Sequence, residues 1–503
     1  MSTLKFTDRD RTADGAGCQP GTLASRMSTS APSLRRAWAR PRHAMSAGGL
    51  GTIALASLGL ALLSLLLPST PTYDPYAWLI WGREILHLDL DTEFGPSWKP
   101  LPVLFTTVFS LVPSAAPDLW VAVARAGAIA SLLLSVRIVW RLGGGLAGGL
   151  VAAACLAVST GYLRFATIGD SEGLLVALLL AAVDQHLSGR RRAALWLAFG
   201  ACLLRPEAWP FAGVYAIWLW RAEPALRRTT IGMVVGGLVL WFGPELWGSG
   251  DALRAGKRAQ DPNPNAIAFA DFPAWEAIKR TVSMTPWPAK LGFLVVTAGW
   301  VSGRWRDHRV GLIALAALLW TLEVAIMTER GFSGNARYMI APVALACVAG
   351  GLGWAKAFAL AGRLLAPRAG RAAAAAATVL ALVVAAALLV SPAERLPDDW
   401  RSARDEAHLM EALDRAIVAA GGPAHVRACG SITTGPFQVT PLAWKLDVHI
   451  RRIDLVPTVP GTVFRSGPMP RSIPGAPPIT VGDPRWQAAA HVDPWEVLQT
   501  CRA

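Results

Sequence analysis

Apolar runs of roughly 20 residues recur along this 503-residue chain from position 48 to position 391, and each can cross about 30 Å of hydrocarbon at about 1.5 Å per residue. Inside a bilayer no water satisfies the backbone, so each run must form a helix that holds its own hydrogen bonds. Hydrophobic residues are 53% of the sequence and charged residues 16%, which excludes an ordinary soluble domain. The expected fold class is mainly α, a polytopic membrane helical bundle. About eleven spans are expected, at 48–68, 119–140, 145–162, 173–187, 193–204, 208–220, 230–248, 290–303, 310–327, 337–361 and 372–391. The segment 99–113 is too short to cross without tilt and reads as juxtamembrane or re-entrant.

The formal charge of +14 does not point to nucleic acid, because Lys and Arg gather in short clusters between the apolar runs. These clusters lie at 1–46, 137–141, 189–192, 221–228, 304–309 and 363–371. The positive-inside rule places them in the cytoplasm of a multi-pass plasma-membrane protein whose N-terminus is cytoplasmic and whose C-terminal domain is extracytoplasmic. Three regions follow. Residues 1–46, with eight Lys/Arg and three Asp and no apolar periodicity, read as a disordered basic cytoplasmic tail. Residues 47–391 hold the spans. Residues 392–503 read as a small α+β domain, with a helical pattern at 398–420 and β-prone runs near 436–456. Cys429 and Cys501 lie in that domain, where a disulfide requires an extracytoplasmic setting.

With this topology most of the non-basic polar residues fall on the outer face. The loop 72–102 carries Asp74 and Lys99 among Tyr73, Tyr76 and Trp78. Asp170 and Glu172 sit between two spans, Arg205-Pro206-Glu207 interrupts another, and Arg337-Tyr338 opens a late one. Each has an ordinary explanation: Asp74 before Pro75, and Asp170, are natural helix N-caps, and the cations at span ends can snorkel to the surface. Each also has a chemical one. A carboxylate at a membrane margin can take a proton from a hydroxyl, a second can face it or hold a divalent ion, and Lys99, Arg205 and Arg337 can neutralise a phosphate at the lipid surface. Glu323, inside a span, needs a partner if buried. The scattered histidines carry no metal-ligand spacing.

The order of these motifs resembles the GT-C superfamily of membrane glycosyltransferases, including the bacterial mannosyl- and aminoarabinose-type transferases, which use polyprenyl-phosphate-linked sugars. An acidic motif after the first span (YDPYAWLIWGREI, with Asp74) is followed by Lys99-Pro100-Leu101-Pro102, similar to a Lys-Pro-Pro-Leu motif. A helix with an early Arg follows (ARAGAIASLLLSV, 124–136), then Arg164 through Asp170 and Glu172, then the break LLRPEAWPF (203–211), then ARYMIAPV (336–343). The resemblance covers about 48–362. It implies inverting transfer of a sugar from a lipid-phosphate donor to a glycan, lipid or protein acceptor at the outer face. Asp74 is then the general base, and Lys99, with Arg205 or Arg337, holds the donor phosphate. Asp170 or Glu172 orients the acceptor or binds magnesium or manganese, and Tyr73, Tyr76, Trp78, Glu207 and Tyr338 support them. Here the acidic motif has one carboxylate followed by proline where several branches have two, which leaves the metal open. A transporter or flippase of a lipid-linked intermediate, or a non-catalytic membrane scaffold, are the alternatives.

Overall fold

The computed structural model describes residues 48–305, 307–466 and 479–501; the tail assigned to 1–46 lies outside them. The chain is a helical bundle with one small sheet near its end. In order come α1 (Gly48–Ser64), α2 (Tyr73–Leu86), α3 (Pro100–Phe109), α4 (Ala116–Val139), α5 (Gly145–Ala157), α6 (Tyr162–Thr167) and α7 (Glu172–Leu187). Then follow α8 (Arg191–Cys202), α9 (Trp209–Ala222), α10 (Arg227–Ser249), α11 (Arg254–Ala259), α12 (Pro273–Met284), α13 (Trp287–Val301), α14 (His308–Glu329) and α15 (Ile340–Ala393). The C-terminal part holds α16 (Leu396–Ala419), α17 (Gly422–Ala428) and α18 (Val439–Lys445) around strands β1 (Ser431–Thr433), β2 (Ile453–Asp454), β3 (Gly461–Ser466), β4 (Gln487–Val492) and β5 (Trp495–Gln499). Among the described residues, five stretches are long and apolar enough to cross a membrane: Ala116–Ala157, Pro224–Ser249, His308–Glu329, Ala336–Leu360 and Thr378–Ala419. Shorter apolar helices at Gly49–Ser64 and Pro100–Phe109 flank the first loop.

The apolar runs anticipated at 337–361 and 372–391 each fall in a stretch able to cross a membrane, and they are joined without a break in one helix, Ile340–Ala393, because alanine, which fills the stretch after the basic cluster, has the highest helix propensity of any residue type. One expectation from sequence needs correction. The β-prone run near 436–456 holds only the short strand Ile453–Asp454; Val439–Lys445 within it is helical and turns its apolar residues Val439, Leu442 and Ala443 into a core shared with α2. The sheet instead has the order β2-β1-β3-β5-β4, with β1 parallel to β2 and β3, and β5 antiparallel to β3 and β4.

Helix α16 shows why the C-terminal part is not a free appendage. Its buried residues Ala403, Glu406, Leu409, Met410, Leu413, Ala416 and Ile417 recur at helical spacing, the mark of one covered face. Trp495 donates its indole N–H to the Leu409 carbonyl (2.9 Å). The core continues through Leu442 and Ile450 into Tyr76, Leu79 and Trp81 of α2. Membrane bundle and C-terminal part therefore share one apolar core beside the loop 72–102.

Within the bundle, α7 lies against α4 with backbones nearly touching. A Cβ at Gly127 would strike the Leu174 backbone, and one at Gly173 would meet Ala128 at 2.7 Å. Glycine permits that approach, and it sets where the first turn of α7 sits.

Candidate active site

Four loops converge on the first turns of α2, α3 and α7, pinned by main-chain bonds. Thr72 N–H reaches the Ile168 carbonyl (3.2 Å), and Leu101 N–H reaches the Leu203 carbonyl (3.1 Å). Trp120 of α4 donates its indole N–H to the Gly169 carbonyl (2.7 Å). The loops that bear Asp74, Lys99, Asp170 and Arg205 are thus held side by side by groups outside their own side chains.

Arg337 joins the two aspartates. Its Nη1 lies 2.9 Å from Asp74 Oδ2 and 3.0 Å from Asp170 Oδ1, and Asn335 caps the turn by accepting from Arg337 N–H at 3.1 Å. Neither aspartate is the helix cap that the sequence suggested. The cap of α2 is Thr72 and that of α7 is Ser171, neither with a side-chain cap bond, while both carboxylates are drawn to the guanidinium. Charge pairing outweighs capping here, since a buried guanidinium needs anionic partners.

A second group adjoins the first. Arg205 pairs with Glu172, lies 3.6 Å from Glu207, and stacks over the Tyr338 ring at 4.6 Å. Arg205 itself is extended, with φ −145° and ψ 127°, and Pro206 opens a 3₁₀ turn before α9. Proline forbids the helical conformation to the residue before it, so the helix breaks where the two charges must turn inward.

Lys99 caps α3 and is 8% exposed. Its ammonium lies 4.9 Å from the centre of the Trp78 ring, and it makes no ion pair among the described residues. Trp78 stands edge-on to Trp120 at 5.2 Å. Asp74 and Trp78 are four residues apart and share one face of α2. Tyr76, two residues from Asp74, is on the opposite face and buried in the apolar core, so it is not beside this cluster as expected. Tyr73 turns toward Arg258 and Arg254 of α11, and its carbonyl accepts from the Thr440 hydroxyl (2.7 Å).

The electrostatics separate the groups. Burial works against ionisation of Asp74, but Arg337 and then Lys99 outweigh it and hold the carboxyl below its usual range. Asp170 shares the same arginine yet is pushed up to about 7, because burial exceeds what Arg337 returns. Burial, then Arg205, push Lys99 down to about 8. Arg337 lies between the Asp74 and Asp170 carboxylates, and among the described residues no three His, Cys, Asp or Glu side chains are grouped as metal ligands.

Sequence reasoning missed Trp120, which fixes the Asp170 loop, and Arg254, whose guanidinium holds the first loop through the carbonyls of Pro96 (2.7 Å) and Gly95 (3.0 Å). A Trp in an apolar helix and an Arg in a basic loop have no distinguishing pattern in sequence. Arg164, part of the motif series, turns away from the cluster and pairs with Glu406 of α16 at 2.9 Å.

No family model and no curated protein matches this chain in sequence. Solved structures do match in fold. ArnT from Cupriavidus metallidurans bound to undecaprenyl phosphate superposes with a TM-score of 0.51, covering 91% of this chain and 99% of that one at 13% identity. The apo state of the same protein gives 0.50, with 90% and 97% covered at 11% identity. The chain therefore shares its fold with that membrane protein. It is a membrane protein of the ArnT architecture.

Proposed function

We propose that this protein is a membrane-embedded glycosyltransferase that moves a sugar from a polyprenyl-phosphate donor to an acceptor hydroxyl at the outer membrane face. The observation that carries this reading is the junction at Arg337, where two carboxylates from distant loops meet one guanidinium beside an unpaired lysine. That arrangement supplies a base for a hydroxyl and a cation for a leaving phosphate within one pinned cluster. The fold shared with a protein that was crystallised with undecaprenyl phosphate supports the choice of lipid donor.

In this mechanism Asp74, ionised and the more exposed of the two aspartates, accepts the proton of the acceptor hydroxyl as its oxygen attacks the anomeric carbon. The bond from that carbon to the phosphate oxygen breaks, and the departing polyprenyl phosphate gains charge. Lys99 faces that charge. Arg205 and Arg337 are each engaged by carboxylates, so their share is to keep Glu172, Asp74 and Asp170 ionised and oriented. Attack opposite the leaving phosphate inverts the anomeric centre. Lys99 supplies the positive charge that faces the leaving phosphate.

The outer-face orientation is part of the proposal. It is supported by the disulfide Cys429–Cys501, with Cα atoms 5.5 Å apart, since such bonds persist in oxidising compartments. The test is to supply purified protein in vesicles with an undecaprenyl-phosphate hexose and assay release of undecaprenyl phosphate. The anomeric configuration of the product, read by NMR, reports on inversion. Movement of the lipid-linked sugar across the bilayer with no turnover would overturn the reading in favour of a transporter.

A further inference from the structure

Glu323 lies in the middle of α14, and the chemistry above does not use it. Its surroundings are set by one aromatic pair. Trp320 and Glu323 are three residues apart on one face of α14, and Glu207 and Phe211 are four apart where α9 begins. Phe211 stacks flat on Trp320, with ring centres 4.7 Å apart and planes within 16°. The stack brings Glu323 near Glu207, and Glu207 in turn adjoins Arg205. Glu207, 3% exposed, reaches toward Arg205 with Oε1 and leaves Oε2 buried without a partner among the described residues. Glu172 likewise engages Arg205 through Oε1 and leaves Oε2 bare, and Glu323 Oε2 is bare as well.

Buried polar atoms in folded proteins are nearly always paired. Two carboxylate oxygens beside one guanidinium, and a third on the adjoining Glu323, therefore call for a partner. An ionised carboxylate only accepts, while the buried Arg205 Nε–H beside them also lacks a partner among the described residues, so what completes the group must donate hydrogen bonds and accept one, as a hydroxyl does. A phosphate cannot, and these oxygens would repel it. Resting on the glycosyltransferase reading, we infer that Glu207 and Glu323 form the subsite that recognises the hydroxyl groups of the transferred sugar. The donor then lies with its phosphate at Lys99 and its sugar ring turned toward the Phe211–Trp320 stack. Apolar ring surface beside carboxylate acceptors suits a sugar, which has C–H faces and a hydroxyl rim.

The experiment compares binding of undecaprenyl phosphate, bare and carrying a hexose, to purified wild-type and variant protein. Wild type is expected to hold the hexose lipid at least about 10-fold more tightly than the bare lipid, because a site built to bond a hydroxyl discriminates against its absence. Glu323→Leu brings that ratio to within about 2-fold of unity while bare-lipid binding, which also reports on folding, is kept. Glu207→Gln, which is isosteric, lowers the ratio in the same direction and stands in should Glu323→Leu fail to fold. Lys99→Met weakens both lipids alike and leaves the ratio in place. Retention of the wild-type ratio in Glu323→Leu and Glu207→Gln overturns this inference alone, as it would if only water filled the space. Failure of wild type to bind either lipid overturns the proposed function and this inference with it.

Discussion

Helix α7 carries a buried ionic cluster at each end, and the two are built on opposite plans. At its C-terminal end Asp184, wholly buried, accepts from Arg137 Nε at 2.7 Å, from Arg141 Nη1 at 2.6 Å and from Gln185 Nε2 at 3.1 Å. Both carboxylate oxygens are used, and Arg141 adds a bond to the Asp184 carbonyl (2.9 Å). At its N-terminal end Glu172, Arg205 and Glu207 each keep a polar atom that finds no partner among the described residues, and Ser171 Oγ is bare beside them. One end is a closed staple between α4 and α7, one unpaired Arg137 nitrogen apart. The other is an open constellation that lacks its counterpart. Burial and charge alone do not separate the two; satisfaction of hydrogen bonds does.

Substitution should pull the two ends apart. The largest effect is expected from Asp74→Asn, which should lower transferase turnover by about 10²–10⁴-fold, the usual contribution of a general base. The variant should lose less heat resistance in detergent than Asp184→Asn, because Arg337 keeps Asp170 as a partner. Asp184→Asn should do the reverse. Leaving the buried Arg137 and the half-buried Arg141 short of an anion costs about 3–5 kcal/mol, so less folded protein is expected after heating, while turnover per surviving molecule is unchanged. If Asp184→Asn abolished turnover in fully folded protein, the division between staple and site would fail.

Smaller effects sharpen the open end. Lys99→Met should raise the donor KM by about 10–100-fold, as loss of one charge-assisted contact predicts. The pH profile should be bell-shaped. Asp170 must lose its proton to pair with Arg337, so activity rises as pH passes about 7. Lys99 must keep its proton to hold the phosphate, so activity falls above about 8. Asp170→Asn should flatten the acid limb, and Lys99→Arg should move the alkaline limb upward. An unshifted profile in both variants would remove these two groups from the reaction.

The smallest expected effect lies where the C-terminal part meets α2. His449 bridges Glu84 (2.7 Å) and Asp89 (3.1 Å). Burial raises the Glu84 carboxyl to about 7, even though Asp91 N–H and His449 pull it down. A carboxyl raised by folding stabilises the folded state at low pH, and that contribution is lost as pH rises through about 7. The docked C-terminal part should therefore be cut faster by protease at about pH 8 than at about pH 6. His449→Gln should weaken docking by about 1 kcal/mol and, by removing a group that holds the Glu84 carboxyl down, enlarge that difference.

Much of this was legible in the sequence, for reasons that differ by residue. Pro206 announced the break after Arg205, because proline acts on its neighbour through local sterics. Asp74 and Trp78, four apart, were bound to share a helix face, and by the same period Tyr76 was bound to leave it. What local pattern could not supply was partnership. Asp74 before Pro75 reads as a cap until Arg337, 263 residues on, is placed against it. Arg164 reads as part of the site until Glu406 claims it.

By itself the sequence determined that the chain lies in a membrane, because runs of that length and apolarity have no other stable solvent. It also determined where the helices break and which segments carry charge between them. The tertiary structure decided which charges meet. Ion pairing acts between groups close in space whatever their distance along the chain, and only the packing of α4, α7 and the loops around them brought Asp74, Asp170 and Arg337 together. The same packing settled the two ends of α7, closing the hydrogen bonds around Asp184 and leaving those around Glu172 open.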